Sequence, residues 1–158
     1  MTPFFPGRFQ PFHNGHLMVI KGMMKIHGNA VVVICHGPKM GEDDILSAEE
    51  VQESISSALL DAELMDATIT LVKDESEDAK WADAVIASTE HAPDPIVWTG
   101  NEDVAVLFEK KGIPVKRVKP VPGITGKELR DMIMDGHPGW KSKVPDGVVE
   151  VIGRKKRT

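Results

Sequence analysis

Apolar residues along the chain follow two rhythms, and each marks a different kind of element. Residues 30–35 (Ala-Val-Val-Val-Ile-Cys) form an unbroken, β-branched run of strand length, the pattern of a strand buried on both faces. Residues 68–72 alternate as a strand, and Ile96-Val97-Trp98, residues 115–118 and a brief N-terminal strand at Phe4-Phe5 complete the set. Between them the period lengthens. Leu17, Ile20, Met23 and Met24 recur at helical spacing, as do Val51, Ile55, Ala58 and Leu59 behind the capping-box sequence Ser47-Ala48-Glu49-Glu50. Trp81, Val85 and Ile86 mark a third helix within residues 78–90, ahead of the breakers Pro93 and Pro95. Residues 102–111 and 126–135 read as helices ended by Gly112 and Gly136, and the remainder as a final short helix or extended segment.

Strands alternating with helices at this spacing predict an α/β fold: a Rossmann-like, doubly wound, mainly parallel sheet of about five strands with helices on both faces. Ligands of such sheets bind at the carboxyl edge, which puts the loop of residues 36–44 beside the site. One feature resists this reading. Pro3 and Pro6 flank the first strand, which should be central and needs its donors, so that strand is expected to be two or three residues long or to tolerate gaps in its pairing.

Composition narrows the class. The 158 residues suit one domain, and 41% hydrophobic with 27% charged residues is ordinary for a globular chain. A net charge of −5 argues against a broad nucleic-acid surface, and Arg154-Lys155-Lys156-Arg157 reads as a solvated, frayed end. Cys35 is the single cysteine, which rules out an intrachain disulfide and suits a reducing compartment. The apolar run at 30–35 is far too short to span a bilayer, and the first positive charge, Arg8, does not lie in a signal-peptide layout. A cytoplasmic protein with no membrane or nucleic-acid partner is expected.

The chemistry concentrates in Gly7-Arg8-Phe9-Gln10-Pro11-Phe12-His13-Asn14-Gly15-His16, between the first strand and the first helix. Asn14 is a plausible N-cap. A helix start offers unpaired N–H groups and the positive end of its dipole, where His13, His16 and Arg8 converge, an arrangement suited to a phosphate chain. The spacing also fits half a zinc site, but no cysteine pair or glutamate follows at ligand spacing and a cation is disfavoured at a helix N-terminus.

These residues resemble the signature of the nucleotidylyltransferase superfamily, in the form carried by archaeal-type nicotinamide mononucleotide (NMN) adenylyltransferases. The resemblance extends over nearly the whole chain. Residues 1–153 would form a single nucleotidylyltransferase domain, with 154–158 as a basic tail. It implies transfer of AMP from ATP to NMN, giving NAD and pyrophosphate, with Mg2+ carried by the ATP, no protein-held metal, and assembly as a homo-oligomer. His13, His16, Arg8 and Arg130 would be the catalytic residues, and Gly7, Phe9 and Gly15 would join them in holding ATP. Gly123-Ile124-Thr125-Gly126-Lys127-Glu128-Leu129-Arg130 is similar to a second family motif that opens a helix on the β- and γ-phosphates, so Thr125, Gly126, Lys127 and Arg130 are assigned there. Trp98-Thr99-Gly100-Asn101 resembles the stretch bordering the adenine pocket, through Gly100 and Asn101.

For the acceptor, residues 74–81 resemble a segment whose tryptophan stacks on nicotinamide, so Trp81 and Asp78 are assigned to NMN, together with Lys39 of the loop before the second helix. Three positions depart from the family pattern. Lys127 stands where a threonine is usual, Asp78 where an asparagine is usual, and Val51 where an arginine helps to hold the phosphates; Lys39 is the candidate substitute for that arginine. These departures keep two rivals open, a relative using CTP or another phosphate acceptor, and a non-catalytic nucleotide-binding protein. Trp140, in the closing segment, is expected to pack rather than react.

Overall fold

A computed structural model describes residues 1–37, 40–73, 78–89 and 91–156, the side chains of 78, 79 and 156 excepted. Five strands form one sheet, β1 (Thr2–Gly7), β2 (Ala30–His36), β3 (Ala67–Lys73), β4 (Pro95–Thr99) and β5 (Val115–Arg117), in the order β3-β2-β1-β4-β5 with every neighbouring pair parallel. Helices α1 (Asn14–His27), α2 (Ala48–Asp61), α3 (Asp78–Ser88) and α4 (Glu102–Lys110) alternate with them. After β5 come α5 (Gly126–Met134), a 3₁₀ segment (Pro138–Lys143) and α6 (Asp146–Lys156).

The period-two alternation of side chains divides the core between the two faces of the sheet. Phe5, Val32 and Ile34 pack with α1, α2, α5 and α6 residues such as Ile20, Ile55, Leu129 and Val148, whereas Phe4, Val33 and Cys35 pack with Val85 of α3 and Phe108 of α4. The doubly wound expectation holds. The strand order runs one way from β1 to β3 and the other way from β1 through β4 to β5, so the switch in direction falls between β1 and β4. A ligand crevice opens at such a switch because the two connecting loops diverge to opposite faces.

β1 is six residues long despite its prolines, and its pairing explains why. The Thr2 N–H donates to Asp94 O on the β4 side, and successive amides point to opposite sides. Pro6 therefore faces β4, beyond the last β1–β4 partner Phe4, and Pro3 faces β2, before the first β1–β2 partner, again Phe4. Neither proline removes a ladder bond. The strand is neither cut to two or three residues nor left with gaps: the stagger of its two ladders makes both alternatives unnecessary.

The basic end is not frayed through Lys155. α6 continues to Lys156, where Arg154 pairs with Glu53 at 2.7 Å and Lys155 with Glu50 at 2.9 Å, so two α2 carboxylates hold the last turn. Trp140 is 3% exposed in the main core, in line with a packing role. Among the described residues no helix is long and apolar enough to cross a membrane.

Candidate active site

The site grows from the turn between β1 and α1. Phe9 takes a left-handed backbone (φ 55°) and the Gln10–Pro11 peptide is cis, and His13 stands at the start of α1. The N-cap is His13 rather than Asn14, which becomes the first helical residue. Two histidines build the capping box. His13 Nδ1 accepts the His16 N–H at 3.3 Å and His16 Nδ1 accepts the His13 N–H at 3.1 Å. Since both Nδ1 atoms accept, the ring protons reside on Nε2, and each ring offers one N–H donor to a ligand.

Packing fixes this state. The two rings stack at 3.6 Å, and Phe12 stacks on His16 at 5.4 Å while Phe9 meets its edge at 4.9 Å. Burial pushes the His13 pKa down to about 4, and burial, then the neighbouring His13, holds His16 well below the usual imidazole range. Both are neutral donors at physiological pH. Gly15 is required by the same packing, because a Cβ there would lie 2.9 Å from Cε1 of His13.

Two clefts meet at His16. The larger, about 460 Å³, runs along the carboxyl ends of β1 and β4 and is lined by Gly7, Phe9, His13, Gly15, Thr99, Gly100, Asn101, the 118–121 loop, Thr125 and Gly126. Its apolar walls, Phe5, Val19, Val118 and Ile124, suit a flat base, and its floor is the imidazole pair. The smaller, about 250 Å³, holds Arg8, His16, Asp44, Gly126 and Arg130. Arg130 folds back over Gly126, where a Cβ would come 2.8 Å from Nη1, and donates to Gln10 O at 3.0 Å. A third cleft, about 490 Å³, lies at the carboxyl ends of β2 and β3 beside His36, Ser47, Glu49, Leu71 and Lys73.

The structure thus brings Gly7, Arg8, Phe9, His13, Gly15, His16, Gly100, Asn101, Thr125, Gly126 and Arg130 around two joined clefts. Asn101 and Thr125 also cap their helices, each accepting N–H bonds from the first turn. Lys127 is not brought in. Its side chain is 80% exposed and pairs with Asp131 at 3.0 Å, because the second helical position after the Thr125 cap points away from the cleft. Trp81 is half-buried on α3 and packs edge-to-face on Phe108 at 5.6 Å, without lining the His16 clefts. Lys39 lies outside the described residues, as does the side chain of Asp78. Val51 is fully buried in the main core, so its position contributes packing and no charge.

Sequence reasoning missed Gln10, His36 and Asp44 as site residues. Gln10 Oε1 accepts from Ile45 N and Leu46 N, each at 2.9 Å, and Nε2 donates to Leu46 O at 2.9 Å, tying the loop before α2 to the motif turn. Its place inside the motif was the available signal. Asp44 gave none, being one of three acids in a row.

The cytidylyltransferase-like family profile matches residues 4–133, and the chain belongs to that family. Within it the chain is 34% identical over 152 residues to the nicotinamide-nucleotide adenylyltransferase of Methanolobus tindarius, covering 94% of this chain and 86% of the relative. It is 33% identical over 150 residues to the enzyme of that name from Methanococcus aeolicus, covering 92% and 84%. Among solved structures, a bifunctional NMN adenylyltransferase/ADP ribose pyrophosphatase from Francisella tularensis superposes with a TM-score of 0.76 at 22% identity, over 85% of this chain and 42% of that longer one. The same protein has been solved with AMP and a manganese ion, with a TM-score of 0.71. At that identity the likeness speaks for the fold.

Proposed function

We propose that the chain is a nicotinamide-nucleotide adenylyltransferase: an NMN phosphate oxygen attacks the α-phosphorus of ATP, the bond to the bridging oxygen breaks, and NAD and pyrophosphate leave. The observation that carries this reading is the stacked histidine pair, His13 buried and His16 partly so, whose Nδ1 atoms are occupied by backbone, leaving two fixed Nε2 donors at a helix N-terminus. No nucleophilic side chain is needed. Fixed donors in a partly dry cleft stabilise charge spreading over the transferring phosphoryl group and need no reorganisation as it develops. Neutrality matters, because a proton added at Nδ1 would displace the backbone N–H that this atom accepts and release the ring from its fixed orientation.

The reading puts the adenosine in the larger cleft, over Gly100 and under the 118–121 loop, and the triphosphate across His16 toward Arg8 and Arg130. Thr125 and Gly126 open α5 toward the outer phosphates. Among the described residues there is no group of three or more His, Cys, Asp or Glu able to hold a metal. A magnesium ion carried in with the triphosphate would supply further neutralisation of phosphate charge beside Arg8 and Arg130. The acceptor's ring is assigned to Trp81 as its stacking residue, and Asp78 and Lys39 keep their assignment to NMN on the family resemblance.

The test is pyrophosphate release from MgATP with and without NMN, with CTP as a parallel donor and product mass as the readout. NMN-dependent release with a product of NAD mass is expected. Turnover only with CTP or another phosphate acceptor would keep the scaffold and overturn the substrates. ATP binding with no turnover under any condition would overturn the enzyme.

A further inference from the structure

Arg8 and Asp44 form an ion pair whose two ends differ in kind. The Asp44 side chain is 1% exposed and the Arg8 side chain 44%, so a buried, fixed carboxylate faces a guanidinium that stands in the cleft. Arg8 Nη2 reaches both Asp44 oxygens at 2.9 Å. Asp44 is held independently of Arg8: the Gly41 N–H donates to Oδ2 at 2.8 Å and His36 Nε2 stands 3.5 Å from the same oxygen. Its loop is in turn clamped by the three Gln10 bonds to Ile45 and Leu46, and Leu46 is buried in the main core.

We propose that Asp44 is a positioning residue for the donor triphosphate, fixing the guanidinium of Arg8 at the small cleft beside His16. The proposal rests on the adenylyl-transfer reading above. An unanchored arginine samples many rotamers and must give them up when it grips a phosphate. Here that ordering is already done in the protein without nucleotide. Burial alone would raise the Asp44 pKa, but the Gly41 N–H, then Arg8 and His36, hold it below the usual carboxylate range, so the anchor stays charged. The arrangement sacrifices some net positive charge in the cleft for direction. A carboxylate placed only to stabilise the fold would gain nothing from pairing with a half-exposed residue of the phosphate-facing turn, since pairs with an exposed member contribute little.

The experiment is calorimetric titration of MgATP, without acceptor, into the wild-type protein, Asp44→Asn, Arg8→Ala and the double variant, with thermal melting of each. Positioning predicts that Asp44→Asn weakens MgATP about tenfold or more and adds little once Arg8 is gone, the signature of two residues acting as one. Tighter MgATP binding by Asp44→Asn would show that Asp44 competes with phosphate for Arg8, and an equal loss in the Arg8→Ala background would show that it acts through the loop. Either result overturns the proposal. Asp44→Glu serves if Asp44→Asn does not fold: it keeps the charge and moves it by one methylene, so positioning predicts weaker MgATP and mere charge balance predicts no change. A wild-type protein that binds no MgATP would sink the functional reading itself, whereas wild-type binding matched by Asp44→Asn sinks only this inference.

Discussion

Two helices point their N-termini at the same clefts, and they are capped in different ways. At α1 the cap residues are the candidate catalytic groups, two stacked histidines that satisfy each other's backbone and lie among Phe5, Phe9 and Phe12. At α5 a single Thr125 hydroxyl accepts the Glu128 N–H, the next side chain but one is exposed, and only Arg130 turns back toward the cleft. The difference is one of enclosure. A donor packed among aromatic rings in a low-dielectric setting is fixed in place and proton state, whereas a surface cap can lend its helix dipole but leaves its neighbours to solvent. On the proposed reading, the first end faces the reacting phosphorus and the second the more solvated outer phosphates.

The sharpest way to break that contrast is His16→Ala. It removes one of the two fixed donors, and losing a donor to developing charge lowers turnover about 10²- to 10³-fold. The reciprocal half of the capping box goes too, at a cost on the order of 1 kcal/mol, which leaves the protein folded. Steady-state rates alongside thermal melting check this, and near-normal turnover in a folded variant would refute the assignment.

Acid sharpens the comparison next. His13 is held near pKa 4 by burial, below its ordinary value of 6.5, so the unfolded chain takes up the proton first. The His13 contribution to stability is therefore full above about pH 6.5, declines as pH falls toward 4 and flattens below, and His16 pulls in the same direction. Between pH 7 and 5 the His13 contribution amounts to roughly 2 kcal/mol. His13→Asn keeps a side chain able to cap but removes the proton site, so urea unfolding of that variant should show a visibly shallower decline over this window. An unchanged slope would mean that other groups carry the acid dependence.

The legibility of the sequence divides along the same line. Elements and topology were readable because their signals are local: the β-branched run at residues 30–35, the Ser47 capping box and the glycine stops each act within a few residues. The motif turn was readable as the place where Arg8, His13 and His16 come together at a cleft, yet its capping was assigned to Asn14, since histidine is a rare cap and its choice depends on a stacked partner and three phenylalanines that only folding assembles. Pro3 and Pro6 were flagged as obstacles and became harmless through a stagger between two ladders, which is a property of register and not of composition. Asp44 was invisible for a related reason. Nothing local separates it from Glu42 and Asp43, and its distinction comes from Arg8, 36 residues away.

The smallest effect belongs to Lys127, where sequence similarity and geometry disagree. The family resemblance assigns it to phosphate, but the structure turns it outward to Asp131 in an exposed pair. Such a pair contributes about 0.2–0.5 kcal/mol at best, less when the cation is the N-terminal member, as here, and a cation in the first turn opposes the helix dipole. Removing the side chain should cost almost nothing in stability. If Lys127 stays outward when nucleotide binds, Lys127→Ala should leave the Km for MgATP within about twofold of wild type, inside the range of ordinary surface changes. A larger rise in that Km with kcat unaltered would mean that the flexible ammonium swings in to the outer phosphates, a point-charge contact made only with ligand present. That outcome would narrow the difference between the two helix ends from one of design to one of timing, with the α1 donors set before binding and the α5 donor recruited by it.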